Sequence, residues 1–436
     1  MLRPDVAARL AGEEGKAQAQ IEKRCADLEA LVGVDPAEFV ARTAAQARCM
    51  VATAHGDGGP LALDCGPRAA VPAPARATPV QVVLDEATWG TRCGDGSPYA
   101  FWVRLAPEGE PAERVVIYLQ GGGVCVFGDD CANVGSALMR ALDNTLSGGG
   151  ILSNTNPDSP FRTWTKVFLP YCTQDLHVGG GTTNVFPEVT VHRFGGLNVR
   201  AALRWVRDAL WAELDAGSTE GYRPDRLQVL FAGGSAGGFG VNYNYHYLLD
   251  ELRWSRTAAV PDSGLGLDNG QLFGVAGLGG LMILDEGTVA WRARAMLPPY
   301  CHEPRCAVGP EIQVAHSERL EAVPEQVMLN VTNQVDDVQV STTFFPSRRA
   351  WIDALRSAYC ATQGMRGLRS FMPAITTSIH GLTANTRFPS TASAGTTLGE
   401  WLGSAFAAPG AVDDRVEEGT LAAAFGVQPF ACPVAP

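Results

Sequence analysis

A serine in a glycine-rich turn is the residue of this sequence best placed for covalent chemistry. Ser235 lies in the segment GGSAG at 233–237, between an apolar run at 227–231 and a helical pattern at 239–252. A serine hydroxyl is a weak nucleophile, so it needs a neighbouring base and an exposed position. A sharp strand-to-helix turn supplies that position, and its small residues let strand and helix approach closely. The pattern predicts that Ser235 is the nucleophile of an acyl-transfer reaction.

The partners of such a serine follow it along the chain, first an acid and then a histidine. The apolar run 327–331 leads into Asp336 and Asp337, and His380 is the only one of the seven histidines beyond them. The order therefore selects His380 as the base and leaves Asp336 and Asp337 open as the acid. The alternatives are a helix N-cap for either aspartate and an ordinary loop position for the histidine.

A second glycine cluster, 121–123, follows an apolar run at 115–119. Backbone N–H groups in such a turn can converge on one point. Together with the N–H of Ala236, the residue after the nucleophile, they would form an oxyanion hole. A phosphate-binding loop is disfavoured, because no GK[ST] follows and the spacing is not G-x-G-x-x-G.

The elements that must position these residues alternate between short apolar runs and amphipathic stretches. The pattern predicts strands at 115–119, 166–169, 227–231, 327–331 and 371–375, and helices at 203–214 and 239–252. This alternation is typical of an α/β fold with a mostly parallel sheet and helices on both faces. Ligands then bind beyond the carboxyl ends of the strands. Asp262, after another apolar stretch, is either a pocket residue or a turn residue.

The N-terminal part differs from this pattern. Residues 4–56 are predicted to be helical with a break at Gly33 and Pro36, and two antiparallel helices would bring Cys25 and Cys49 together. We divide the chain into an N-terminal helical extension (1–64), a linker rich in proline and alanine (65–80) and a catalytic domain (81–436). Alternatively, the extension is an interaction module to which the enzyme is merely attached.

Charge and hydropathy exclude several classes of partner. The chain has 34 Lys and Arg against 46 Asp and Glu, a net charge of −12. An acidic protein is a poor match for nucleic acid or an anionic membrane. No uncharged apolar run reaches about 18 residues, so membrane insertion is not expected. The expected partner is a small-molecule or carbohydrate substrate, and the oligomeric state stays open.

The eleven cysteines lack paired CxxC spacing, and no metal or cofactor is expected. The short spacings of Cys125 with Cys131 and of Cys301 with Cys306 suit local disulfides, with reduced cysteines in a cytosolic protein as the alternative. The odd count leaves one thiol unpaired, and Cys172 is our candidate. Residues 1–16 do not have the pattern of a signal peptide, so an exported form would have lost its signal earlier.

Four ordered segments resemble the pectin acetylesterase family of the α/β-hydrolase superfamily. They are CGDGSP at 93–98, YLQGGGVC at 118–125 followed by Cys131, GILS at 150–153 with VFLPYC at 167–172, and AGGSAGG at 232–238. With DDVQ at 336–339 and His380, the likeness covers about residues 82–405.

The resemblance implies a metal-independent serine carboxylesterase. It implies Ser235 as nucleophile, Asp336 as acid, His380 as base, and Gly122, Gly123 and Ala236 as oxyanion donors. It also implies a Cys125–Cys131 disulfide and a secreted or otherwise extracytoplasmic protein. The expected reaction is hydrolysis of O-acyl esters, in particular O-acetyl groups on carbohydrate.

Some positions depart from the family. Val124, a candidate pocket residue, stands where plant members have tryptophan, which leaves the acyl preference open, and Gln120 replaces a glutamate. The cysteine that normally precedes the histidine is absent, and residues 1–80 have no recognised counterpart. The rival functions are a lipase or polyester depolymerase with the same triad, and a non-catalytic carbohydrate-binding relative.

Overall fold

A computed structural model describes most of the chain from residue 76 to 417 and part of the N-terminal region. The described residues are 4–25, 35–37, 39–41, 43–44, 76–135, 138–142, 146, 149–215, 226–252, 255–267, 290–298, 300–301, 306, 309–321, 323–341, 345–417 and 432.

A nine-stranded sheet is the centre of the fold. Its strand order is β1-β2-β4-β3-β7-β8-β9-β10-β13. The β1–β2 and β2–β4 pairs are antiparallel, and the other neighbours in the sheet are parallel. These strands are β1 (Val80–Leu84), β2 (Tyr99–Arg104), β3 (Arg114–Leu119), β4 (Thr165–Leu169), β7 (Gln228–Gly234), β8 (Arg256–Asp262), β9 (Gln326–Val331), β10 (Leu368–Met372) and β13 (Arg415–Val416).

Two hairpins, nine α-helices and four short 3-10 helices complete the described elements. The hairpins are β5 (Thr182–Val185) with β6 (Thr190–Arg193), and β11 (Ala392–Ser393) with β12 (Thr396–Thr397). The helices are α1 (Pro4–Arg24), α2 (Glu86–Trp89), α3 (Gly128–Ala132), α4 (Gly195–Asp215), α5 (Ala236–Glu251), α6 (Gly309–Leu320), α7 (Val338–Ser341), α8 (Arg348–Thr362) and α9 (Leu398–Ala407). None of the helices in the described part of the chain is both long and apolar enough to cross a bilayer.

The sheet is buried on both faces because successive side chains point to opposite sides. In β3, Val115, Ile117 and Leu119 pack in a core that also contains residues of α4 and α5. Val116 and Tyr118 pack in a second core on the other face, with Trp401 of α9. A strand with apolar residues on both sides reads as a continuous apolar run, which is why β3 was visible in the sequence.

The structure confirms the predicted fold class. The predicted strands correspond to β3, β4, β7, β9 and β10, and the predicted helices to α4 and α5. The last strand was placed too late: β10 ends at Met372, whereas the prediction ran to 375. Helices α8 and α9 and the antiparallel strands β1 and β2 were not predicted. In α8, α9 and β1, polar residues interrupt the apolar positions, whereas β2 contains the continuous apolar run YAFWV at 99–103, which was missed.

The N-terminal prediction is tested only in part. Helix α1 lies within the predicted helical region, and residues 45–75 lie outside the described residues. At the end of the predicted linker, Val80 already belongs to the sheet, where it pairs with Val103. The division into extension, linker and catalytic domain therefore stays a prediction.

The described residues form four disulfides. Both predicted local bridges, Cys125–Cys131 and Cys301–Cys306, are formed. The prediction for Cys172 is wrong, because it pairs with Cys93 over a separation of 79 residues. Cys360 also pairs with Cys432, 72 residues away. Such pairs depend on the tertiary fold, so spacing could not reveal them. Cys25 is exposed and has a free thiol, and its predicted partner Cys49 lies outside the described residues.

Candidate active site

The turn between β7 and α5 holds Ser235 in a sharp bend. Its backbone angles are φ 56° and ψ −122°, and the residue is half-exposed while its neighbours are buried. Positive φ is uncommon for a residue with a side chain and marks a position held by its surroundings. A Cβ atom at Gly237 would collide with the carbonyl oxygen of Leu119 at the end of β3. Glycine there is what lets α5 pack close to the sheet.

The loop after β3 lies directly against this turn. A Cβ atom at Gly121 would lie 2.5 Å from the carbonyl oxygen of Gly234 and 3.0 Å from Cβ of Ser235. Among the described residues, the amides of Gly122 and Gly123 donate to no backbone carbonyl. Ala236 is the first residue of α5, and N–H groups in a first helical turn have no carbonyl of their own helix to bind. Within the part of the chain that the structure describes, none of the three predicted donors therefore uses its amide in a backbone hydrogen bond.

Buried polar groups support the loop after β3 (120–125), which is called the oxyanion loop below. Nε2 of His177 donates to the carbonyl oxygen of Gln120 over 2.9 Å, and Oε1 of Gln120 accepts the N–H of Tyr171 over 2.9 Å. Burial lowers the pKa of His177 to about 4, so the ring is neutral at physiological pH. Gln120 thus fixes the start of the loop through both its backbone and its side chain.

The Cys125–Cys131 disulfide closes the other end of this loop. The guanidinium of Arg193, which is fully buried, lies 3.5 Å from Sγ of Cys125 and 3.3 Å from Sγ of Cys131. It also donates to the carbonyl oxygen of Gln174 over 3.0 Å. The nearby carboxylate of Asp175 counters its positive charge. The bridge is therefore packed into a buried polar network.

Asp336 and His380 are in direct contact. Oδ2 of Asp336 lies 2.7 Å from Nδ1 of His380, and the aspartate is fully buried. The carboxylate holds the hydrogen on Nδ1, which leaves Nε2 as the basic nitrogen. Nε2 has no hydrogen-bond partner within the described part of the chain. The arrangement can therefore accept a proton at Nε2.

The neighbouring aspartate has a different partner. Asp337 forms an exposed ion pair with Arg348, which lowers the pKa of its carboxyl. The two aspartates left open by the chain order are thus separated by geometry: Asp336 contacts the histidine, and Asp337 points to the surface.

The histidine loop lies next to the serine turn. A Cβ atom at Gly234 would lie 3.9 Å from Cα of Gly381, the residue after the histidine. Asn333 anchors the start of this loop, since its Oδ1 accepts the N–H of Ile375 over 3.1 Å and its Nδ2 donates to Ile375 over 3.3 Å. This role is not predicted by the sequence, in which an asparagine directly after a buried strand is the one signal for it.

The two predicted pocket residues lie in different surroundings. Val124 is partly buried against an apolar cluster that includes Ala236 and Phe239, behind the oxyanion loop. Asp262 is fully buried, and its carboxylate contacts Thr383 and Ser263 instead of an open pocket wall. Within the described residues, no group of three or more His, Cys, Asp or Glu side chains is arranged to hold a metal ion.

Fold and site together define a protein of the α/β-hydrolase class: a mostly parallel sheet, a serine elbow after a central strand, and a histidine–aspartate pair on later loops. Within this class, residues 73–279 match the model of the pectinacetylesterase family, which confirms the predicted family. The matched region contains Ser235 and the oxyanion glycines. Asp336 and His380 lie beyond it.

The chain is also similar to curated carboxylesterases. Palmitoleoyl-protein carboxylesterase NOTUM of Mus musculus is 29% identical over 191 residues, which are 41% of this chain and 34% of the relative. The Homo sapiens protein of the same name is 28% identical over 191 residues, 41% of this chain and 35% of the relative. Notum1a of Danio rerio gives 28% identity over the same shares. The alignment thus spans about a third of the length of these relatives.

Proposed function

We propose that this protein is a serine carboxylesterase that hydrolyses O-acyl esters through Ser235, His380 and Asp336. The single observation that carries the proposal is the 2.7 Å contact between Asp336 and Nδ1 of His380, with Nε2 left unpartnered beside the serine elbow. A buried carboxylate that fixes one tautomer of a histidine is the arrangement that makes the histidine a base for serine.

The proposed reaction has two acyl-transfer steps. Nε2 of His380 takes the proton of Ser235 as its oxygen attacks the ester carbonyl, and Asp336 stabilises the resulting imidazolium. The amides of Gly122, Gly123 and Ala236 donate to the oxyanion, whose charge exists only after the attack. The alcohol leaves with the proton from His380, and water then releases the acid from the acyl-enzyme by the same route. None of these steps requires a cofactor.

The family name favours an O-acetyl substrate, with carbohydrate as the alcohol. The carboxylesterase relatives favour a longer chain, since their names specify a palmitoleoyl group. Val124 is the position that bears on this choice, because it follows the proposed oxyanion donors in the chain and is partly buried against a cluster that contains Ala236. A valine there is smaller than the tryptophan of plant members, so it would exclude a longer acyl chain less.

A chain-length series separates these substrates. We expect p-nitrophenyl acetate, butyrate and octanoate all to be hydrolysed, with the Ser235→Ala variant as the blank. A kcat/KM that is highest for acetate, together with acetate release from acetylated polysaccharide, supports the acetylesterase. A kcat/KM that rises to octanoate supports a lipase-like enzyme. No turnover of any ester by folded protein would instead indicate a non-catalytic relative.

We propose an extracytoplasmic location on the basis of the four disulfides, since such bonds persist in oxidising compartments. The proposed partner is a neutral or weakly charged ester substrate, consistent with the acidic chain. To test this, protein from its native host is alkylated without prior reduction and analysed by mass spectrometry. Protection of the eight cysteines of these bridges supports the location, and alkylation of all eight contradicts it.

A further inference from the structure

Asp262, at the end of β8, contacts both the serine turn and the histidine loop. Its backbone carbonyl oxygen accepts the N–H of Ser235 over 2.8 Å. Its carboxylate Oδ2 accepts both the N–H and the hydroxyl of Thr383, each over 2.6 Å. Thr383 lies three residues after His380. One buried residue therefore links the segment that carries the proposed nucleophile to the segment that carries the proposed base.

Ser263 extends this link to the acid. Its hydroxyl donates to Oδ1 of Asp262 over 3.1 Å and accepts the N–H of Gly381 over 3.2 Å. Its carbonyl oxygen accepts Nε2 of Gln339 over 3.0 Å, three residues after Asp336. Ser263 has a φ of 54°, a conformation that a residue with a side chain keeps only when its surroundings fix it.

A carboxylate in this place is costly unless every oxygen is bound. Asp262 is fully buried, and transfer of a charge from water to the interior is unfavourable without hydrogen bonds. Burial raises the pKa of the Asp262 carboxyl, while the hydrogen bonds from Thr383 and the charge of nearby His380 lower it. Two of these donors, the N–H and the hydroxyl of Thr383, come from the histidine loop, so loss of the carboxylate would free that loop.

We propose that Asp262 is a positioning residue for the reaction: through Thr383 and Ser263 it holds the loop of His380 in a fixed position relative to the turn of Ser235. This inference rests on the proposed function, since it assigns a role relative to the proposed triad. Asp262 itself touches no reacting atom. Asp262 instead sets the fraction of time for which Nε2 of His380 is in place to take the proton of Ser235.

The test compares two carboxylates of the same chain. Asp262→Asn should lower kcat for p-nitrophenyl acetate by about 10²-fold, as a displacement near 1 Å of a reacting group does. KM should stay within about twofold, since ground-state binding is unaffected. Asp414→Asn is the matched control, because Asp414 also accepts a backbone N–H, from Ser370 over 2.8 Å, and a hydroxyl, from Tyr359 over 3.2 Å. It should lower Tm without lowering kcat.

A second pair of variants covers the case in which Asp262→Asn does not fold. Thr383→Val removes the hydroxyl donor and keeps the shape, and Thr383→Ser keeps the hydroxyl. We expect kcat to fall in the valine variant and to stay near wild type in the serine variant. If Thr383→Val and Thr383→Ser have the same kcat, or if Asp262→Asn changes Tm alone, the positioning role is overturned. Activity retained by Ser235→Ala would instead overturn the proposed function.

Discussion

The two halves of the candidate site are built in different ways. In the nucleophile half, Ser235 and the oxyanion loop are placed by backbone atoms packed so closely that only glycine fits at Gly121 and Gly237. In the acid–base half, His380 and Asp336 lie on loops after β10 and β9 that are held by side-chain hydrogen bonds, among them those of Asn333.

This difference decides how each half responds to change. Close backbone packing tolerates little substitution, so the first half requires glycine at the ends of its strands and leaves a compact pattern there in the sequence. Side-chain bonds between loops can be made by many residue pairs, so the second half leaves a weak one. The family match has the same division, since it ends at residue 279, before Asp336 and His380.

The largest expected effect in the acid–base half is that of Asp336→Asn. It should lower kcat by about 10⁴-fold, because an amide no longer selects the tautomer with the hydrogen on Nδ1. Asp337→Asn is the matched control and should cost little, since its ion pair with Arg348 is exposed. Steady-state kinetics with p-nitrophenyl acetate distinguishes them. A larger loss in the Asp337 variant would show that the acid is assigned to the wrong residue.

The disulfides offer a test of the nucleophile half. The double variant Cys125→Ser/Cys131→Ser removes the bridge at the oxyanion loop and should lower kcat by about 10²- to 10³-fold, as loss of an aligned oxyanion donor does. Cys360→Ser/Cys432→Ser is the control. Its loop of 72 residues is far longer than the loop of 6, so it should cost more stability, about 4 against 2 kcal/mol in the chain-entropy model.

The expected result is a crossover. The first variant loses more kcat and the second loses more Tm, measured on the same preparations with p-nitrophenyl acetate and by thermal unfolding. If kcat follows Tm in both variants, the oxyanion loop does not depend on its bridge.

The sequence predicted the nucleophile half well and the acid–base half in part. Each glycine cluster directly follows its strand in the chain, and Ser235 lies within the second cluster. The local pattern was therefore sufficient to predict them. His380 and the pair of aspartates followed from chain order. The choice of Asp336 over Asp337 as the acid needed either the resemblance or the structure. It depends on the contact of Asp337 with Arg348, which lies 11 residues further along the chain. The roles of Asn333 and Asp262 depend on bonds across 42 and 121 residues, which no spacing shows.

The smallest expected effect concerns pH. The pKa of His177 is lowered by burial from 6.5 to about 4, so the unfolded chain binds this proton more readily than the folded one. Stability from this group is fully present above about pH 6.5 and is lost as pH falls toward 4. At pH 5 the loss is about 2 kcal/mol, from about 1.4 kcal/mol per pKa unit.

Urea unfolding at pH 7.5 and pH 5 measures this loss. His177→Gln removes the titrating group beneath the oxyanion loop, so the variant should lose about 2 kcal/mol less than wild type between these pH values. Equal losses in both proteins would mean that His177 does not contribute to the acid sensitivity of the nucleophile half.

The central claim is that Ser235 forms the acyl-enzyme, and mass spectrometry of a trapped intermediate tests it most directly. The protein is mixed with excess p-nitrophenyl acetate, quenched in acid within the first turnovers and digested. We predict an acetyl group on Ser235, its absence in Ser235→Ala, and a strongly reduced amount in His380→Ala, which lacks the base for the attack. Ester turnover without any adduct on Ser235, or an unchanged rate in the folded Ser235→Ala protein, would contradict the account.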